Sequence, residues 1–209
     1  MKFHSPKKFY LSGWIYHHSI DWLLLNTRRQ VACYISSHNL FPALDICCGT
    51  GSLCSLIRKN HQLMVGLDLD LRMVTYASHK YPHLIFLCAD SSCIPFKEKS
   101  MKGIIISYSL HDKSPQERLK MIEQVRWLLA PDGQMILVDF ENPWNRRSQV
   151  GAIFTLLIEK MAGKEHFRNG RQFLKQGGLK YFLQHHDLVE IERYPMELAS
   201  SSLVVASFA

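Results

Sequence analysis

Long apolar runs are missing from this 209-residue chain. The longest, around Trp22–Leu25 and Ile153–Ile158, are interrupted by charge or polarity within a few turns, so no transmembrane segment is expected. The N-terminus shows no charged stretch, apolar core and small-residue cleavage site in succession, which argues against a secretory leader. Six cysteines (Cys33, Cys47, Cys48, Cys54, Cys88 and Cys93) are therefore read as free thiols of a reducing cytoplasm. Their spacing gives no paired C-x-x-C pattern, and the doublets His17-His18 and His185-His186 lack an acidic or thiol partner at helical spacing. No metal is expected. A basic stripe is also missing. Lys and Arg outnumber Asp and Glu by 25 to 18, but the surplus is scattered through Lys7-Lys8, Arg28-Arg29, Lys97/Lys99/Lys102 and Arg146-Arg147, without interleaved aromatics. These read as solvated faces, and no strong nucleic-acid signal remains. Repeats and low-complexity tracts are absent as well.

What is present is a composition of 47% hydrophobic and 21% charged residues, ordinary for one soluble domain of this length. Residues 1–38 are aromatic and basic, with apolar positions at mixed helical spacing, and read as two helices or one broken helix forming a cap. From 39 to 140 the periods alternate. Short apolar runs at Ala43–Cys48, Leu63–Asp68, Leu84–Ala89, Gly103–Tyr108 and Met135–Phe140 read as buried strands. Helices are expected at Ser52–Lys59, Leu71–His79 and Pro115–Leu129, the last with Leu119, Ile122, Val125, Leu128 and Leu129 on one face. This alternation predicts an α/β fold, a parallel sheet covered on both sides. Residues 141–209 break the rhythm. Val150–Met161 and Gly170–Gln176 read as helices, and Asp187–Tyr194 and Ser201–Phe208 as strands joined too closely for a crossover, hence antiparallel.

The chemistry gathers at the ends of the predicted strands. LDICCGTGSLC, Leu44 to Cys54, carries Asp45 on a strand, turns at Gly49-Thr50-Gly51 and enters a helix at Ser52. Glycines admit close backbone approach, and a helix start offers unpaired N–H groups. Asp68 ends the next strand, 17 residues after Gly51, where a carboxylate can accept both hydroxyls of a ribose. Asp90 in CADSSCIPF follows the third strand. The C-terminal ends of parallel strands share one edge, the place where ligands bind in such sheets. Acids there suit a ligand with ribose hydroxyls, an amine and a positive charge, and suit a diphosphate poorly.

Taken in order, LDICCGTG, VGLDLDLRM, CADSSCIPF, IIISYSLHD and LLAPDGQMILVDF resemble the successive motifs of class I S-adenosylmethionine-dependent methyltransferases, closest to the ubiquinone/menaquinone-biosynthesis group. The resemblance covers about residues 40–140 well and the tail loosely. It implies a doubly wound seven-stranded sheet in order 3-2-1-4-5-7-6 with strand 7 antiparallel. It also implies S-adenosylmethionine as cofactor, S-adenosylhomocysteine as product and a small-molecule methyl acceptor. Residue by residue, it assigns Asp45, Gly49 and Gly51 to the methionine part of the cofactor and Asp68 to the ribose. Leu69 then lies beside the adenine, Asp90 and Ser91 at its amine, and Ser107 and Tyr108 beside the sulfonium. Cys47, Thr50 and Met73 complete the implied cofactor contacts. Cys47 and Cys48 stand where the family often has Gly or another small residue, Pro131-Asp132-Gly133 replaces Pro-Gly-Gly, and Cys54 disfavours a dinucleotide loop.

Methyl transfer to an acceptor that must lose a proton needs a base. His111, four residues past Ser107, is a candidate, with a packed or capping loop histidine as the other reading. Tyr108 either meets the acceptor or packs. His166 and Arg168 either orient an acidic or phenolic acceptor or cap a helix. SYSLHD replaces the (Asn/Asp)-Pro-Pro-aromatic motif of exocyclic-amine methylases, and no Pro-Cys dipeptide occurs, which disfavours a cytosine-C5 mechanism. An RNA or protein methyltransferase and a non-catalytic binding scaffold stay open as alternatives. Oligomeric state is not legible.

Overall fold

A computed structural model describes residues 24–57, 62–142, 164–196 and 200–209. Helix α1 (Leu25–Ser37) precedes β1 (Ala43–Ile46), α2 (Ser52–Ile57), β2 (Met64–Asp68), α3 (Leu71–Lys80), β3 (Ile85–Cys88) and β4 (Met101–Ser107). Then come α4 (Pro115–Leu128), β5 (Leu129–Phe140), α5 (Lys164–Gln176), α6 (Gly178–His185), β6 (Leu188–Met196) and β7 (Ser201–Phe208).

The seven strands form one sheet in the order β3-β2-β1-β4-β5-β7-β6. β1 pairs in parallel with β2 and β4, and β5 continues the parallel set beside β4. β7 runs antiparallel to both β5 and β6. The chain therefore winds outward from β1 to β3 and returns to β4 on β1's other side. A crevice opens between β1 and β4 at their C-terminal ends, because successive connections leave in opposite directions there.

Side-chain alternation along the strands divides the core. Leu44, Ile46, Ile104, Ile106 and Leu137 face α4, α5 and α6, which contribute Met121, Val125, Phe173, Leu179 and Phe182. Ala43, Ile105, Ile136 and Val138 face α1 and α2, which bring Val31, Ile35, Leu53, Cys54 and Ile57. The described part of the N-terminal segment thus covers one face of the sheet.

Several boundaries differ from the sequence reading. β1 stops at Ile46 because Cys47 takes a left-handed φ of 63°. β5 starts at Leu129. Met101 pairs with Leu129 and Gly103 with Gln134, so Pro131-Asp132-Gly133 sits in an irregularity of the strand. α5 begins at Lys164, six residues before the expected start at Gly170, and β6 extends past Tyr194 to Met196. On α4 the expected Leu119 is 47% exposed, and Arg118 is buried in its stead. The buried face runs through Arg118, Met121, Ile122, Val125 and Leu128. Arg118 is tolerated because its guanidinium donates to the Lys113 carbonyl and lies over the Phe173 ring at 4.9 Å. The expected helix Val150–Met161, residues 1–23 and Arg146-Arg147 lie outside the described residues.

Candidate active site

The loop after β1 is shaped by three left-handed residues, Cys47, Gly49 and Gly51. A Cβ on Gly51 would lie 2.6 Å from the Phe86 ring, so α2 packs against the sheet only with glycine there. At Gly49 the direction of a Cβ is open, leaving bare backbone facing the crevice. Thr50 is turned inward, its hydroxyl 2.9 Å from that of Ser52.

Asp68, at the end of β2, ties this loop to its neighbour. One carboxylate oxygen accepts the Gly49 N–H at 2.8 Å and the other the Asp70 N–H at 2.9 Å. Each oxygen keeps a further lone pair, so the carboxylate is held in place and able to accept two hydroxyls. Leu69, 66% exposed, follows directly, and Met73 lies half-buried in the first turn of α3. Asp90, beyond β3, is exposed. It accepts the Ser92 N–H at 2.8 Å, and that bond holds its carboxyl below the usual range. Ser91 and Ser107 are half-buried.

Asp45 is buried and accepts the Cys54 thiol at 3.4 Å. Burial pushes its carboxyl up to about 7; the Cys54 bond and the Arg28 charge oppose the rise, and Asp68 adds to it. Burial likewise pushes the Cys47 thiol up to about 11. Both groups are readily neutral without a ligand, and a cation brought beside them favours the charged forms.

Tyr108 adopts a left-handed φ of 51° and donates its N–H to the Val138 carbonyl at 2.7 Å. Its hydroxyl lies 2.9 Å from that of Ser201, and its ring packs beside Phe140. His111 is 2% exposed, with Nδ1 2.7 Å from Asp139 and Nε2 3.3 Å from Nε2 of His166. The structure thus joins His111 to His166 across 55 residues of chain, while Arg168 is exposed on the same helix. Asn169, buried on α5, donates to the Asp112 carbonyl at 2.7 Å and fastens that helix to the loop carrying His111.

Three participants escaped the sequence reading: Asp139, Asn169 and Cys54 as the partner of Asp45. Asp139 was within reach, since it stands near the end of β5 in LVDF, the kind of position that singled out Asp45, Asp68 and Asp90. Among the described residues no cluster of His, Cys, Asp and Glu is arranged to hold a metal, and no helix is long and apolar enough to cross a membrane.

Residues 43–133 match the model of a methyltransferase domain. A 2-phytyl-1,4-naphtoquinone methyltransferase of Thermosynechococcus vestitus is 34% identical over 109 residues, 48% of this chain and 47% of that protein. A ubiquinone/menaquinone biosynthesis C-methyltransferase of Campylobacter jejuni is 27% identical over 128 residues, covering 58% of this chain and 53% of the relative. The chain spans about half the length of the curated relatives it matches. Among solved structures, the magnesium protoporphyrin IX methyltransferase of Synechocystis aligns over 96% of both chains with a TM-score of 0.68 at 16% identity. The PH0226 protein of Pyrococcus horikoshii aligns over 92% of this chain and 91% of its own, with a TM-score of 0.66 at 17% identity. These two share the fold.

Proposed function

We infer that this chain, whose residues 43–133 match the model of a methyltransferase domain, is a class I S-adenosylmethionine-dependent methyltransferase that transfers a methyl group to a small-molecule acceptor. The observation that carries the reading is Asp68, fixed by Gly49 and Asp70 beside the open backbone of Gly49. That pairing of a clamped carboxylate with uncovered backbone fits a ribose and the chain attached to it. Asp68 takes the ribose hydroxyls. Leu69 and Met73 supply apolar surface for the adenine, and Asp90 and Ser91 its polar edge. Asp45, Cys47, Gly49, Thr50 and Gly51 surround the methionine portion, with Ser107 and Tyr108 at the reacting end.

When bound, the cofactor supplies a methyl carbon already activated by positive sulfur. The protein's own residues have simpler tasks: to align the acceptor, exclude water and receive a proton. His111 is positioned for the proton, and His166 and Arg168 lie on the helix that faces the acceptor. The names of the relatives support a quinone-type ring as acceptor, and six free thiols support a reducing cytoplasm as the place of action.

The experiment is incubation with methyl-labelled S-adenosylmethionine and 1,4-naphthohydroquinone, followed by mass spectrometry. Label on the ring and equimolar S-adenosylhomocysteine are expected. Bound cofactor with no turnover on any hydroxylated ring would reduce the chain to a binding scaffold.

A further inference from the structure

We propose that Asp139, His111 and His166 form a relay that takes the proton released by the hydroxyl of the methyl acceptor. The proposal rests on the methyl-transfer reading above and assigns Asp139 a positioning role in it. Asp139 is completely buried. One of its oxygens accepts the N–H groups of Leu110 at 2.9 Å and His111 at 3.3 Å. The other accepts the Phe140 N–H at 2.8 Å and faces His111 Nδ1 at 2.7 Å. Three backbone donors leave the carboxylate as an acceptor towards the ring, so His111 carries its proton on Nδ1 and its lone pair on Nε2. Nε2 of His111 then meets Nε2 of His166 at 3.3 Å, and the second ring must donate. A proton therefore lies between the rings, with a buried carboxylate behind the inner one to balance the charge when that ring becomes an imidazolium.

The placement matches the task. His111 follows the C-terminal end of β4, and Asp139 pairs near the C-terminal end of β5. Both lie on the edge where β1 delivers the Gly49 loop, with β4 directly beside β1. His166 stands in the first turn of α5 and is half-buried, while His111 is sealed beneath it against Phe140 at 4.4 Å. A histidine kept only for packing needs one partner; this one is gripped on one side by a carboxylate and on the other by a second imidazole. Among the described residues, Arg118 of α4 acts on both Asp139 and Asp112, and Asp112 pairs with Lys113 of the same loop.

The acceptor class follows as a ring or enol bearing an ionisable hydroxyl. Its O–H bond breaks and the proton passes to the imidazole pair, which gains one positive charge. The electron pair stays on the acceptor and, delocalised from oxygen to the neighbouring ring carbon, makes the new bond to the methyl carbon; the proton on that carbon then moves to the oxygen, which restores the aromatic ring and its hydroxyl. The carbon–sulfur pair returns to sulfur, which becomes a neutral thioether. No oxidant or reductant enters.

Nitrogen-15 NMR of the full chain, labelled at the histidine rings, reads the tautomers without any turnover. His111 is expected as the Nδ1–H form, and Asp139→Asn is expected to shift it towards Nε2–H. With S-adenosylhomocysteine present, 1,4-naphthohydroquinone should move the ring nitrogens of both histidines, and its dimethyl ether should not. Asp139→Asn and His166→Gln should each lower the rate at saturating acceptor by about 10²–10⁴-fold while cofactor affinity holds. His111 found as Nε2–H in the unaltered chain, or an equal response to hydroquinone and diether, overturns the relay. Failure to bind S-adenosylmethionine overturns the methyl-transfer reading instead, and the tautomer measurement still decides whether the three groups share a proton.

Discussion

Asp45 and Asp68, on the consecutive strands β1 and β2, show how one residue type takes different work from its surroundings. Asp68 is held by two backbone donors and is ready to accept hydroxyls. Asp68→Ala removes that acceptor and frees the Gly49 N–H. A loss of about 1.5–3 kcal/mol for each charge-assisted bond to the cofactor is the upper bound, lower where water substitutes. Asp45 is buried with its carboxyl pushed up to about 7, against 3.8 in the unfolded chain. The folded chain therefore binds this proton more tightly than the unfolded one. Stability is fully present below pH 4 as far as this group is concerned, and is lost as pH rises towards 7. The loss is on the order of a few kcal/mol in the ligand-free protein. Asp45→Asn should flatten that slope in urea melts taken from pH 5 to 8, whereas an unchanged slope would place the titration elsewhere. Asp45 was legible from a strand followed by a glycine turn, and Asp68 from its place at the end of the next strand, 17 residues after Gly51. The pairing of Asp139 with His111 was not, because it joins residues 28 apart through the sheet, and no local period encodes it.

At the scale of elements, the buried parallel strands announced themselves because both of their faces are covered and their sequences are unbroken apolar runs. Helix α4 misled at Leu119. Its apolar pattern tolerates two faces, and the choice fell to Arg118, whose charge is satisfied by the Lys113 carbonyl and the Phe173 ring, contacts that arise only after folding. The beginning of α5 was missed because KEHFRNG has no strong apolar period ahead of Phe173. What fixes this helix is Asn169, bonded to the Asp112 carbonyl. Asn169→Ala should cost about 1–3 kcal/mol in chemical denaturation by leaving a buried acceptor without its donor. It should also raise KM for the acceptor more than it changes cofactor affinity, because α5 carries His166. A larger effect on the cofactor than on the acceptor would show that α5 serves the wrong ligand in this account. The cap of α4 provides a control away from the site. Ser114 and Glu117 form a reciprocal capping box, and Ser114→Ala should cost about 1 kcal/mol with little effect on either ligand.

Across the whole molecule, the strands bring Asp45, Asp68, Ser107 and Asp139 towards one edge of the sheet, and the antiparallel β6–β7 pair closes the flank opposite β3. The hairpin was readable from its short connection, whereas the strand order came from likeness to a family and not from local pattern. Residues 1–38 are proposed as a cap that reaches that edge, and residues 1–23 of it lie outside the described residues. Deletion of residues 1–20 is expected to leave the fold intact and to lower turnover, and full retention of turnover and cofactor affinity would refute the cover. If the edge built by Asp45, the Gly49 loop and Asp68 holds S-adenosylmethionine, titration calorimetry reads the binding without any acceptor present. The unaltered chain should bind one S-adenosylmethionine, and Asp68→Ala should bind it about tenfold more weakly or worse, a change of about 1.4 kcal/mol. No binding by the unaltered chain, or equal affinity in the variant, would contradict the account.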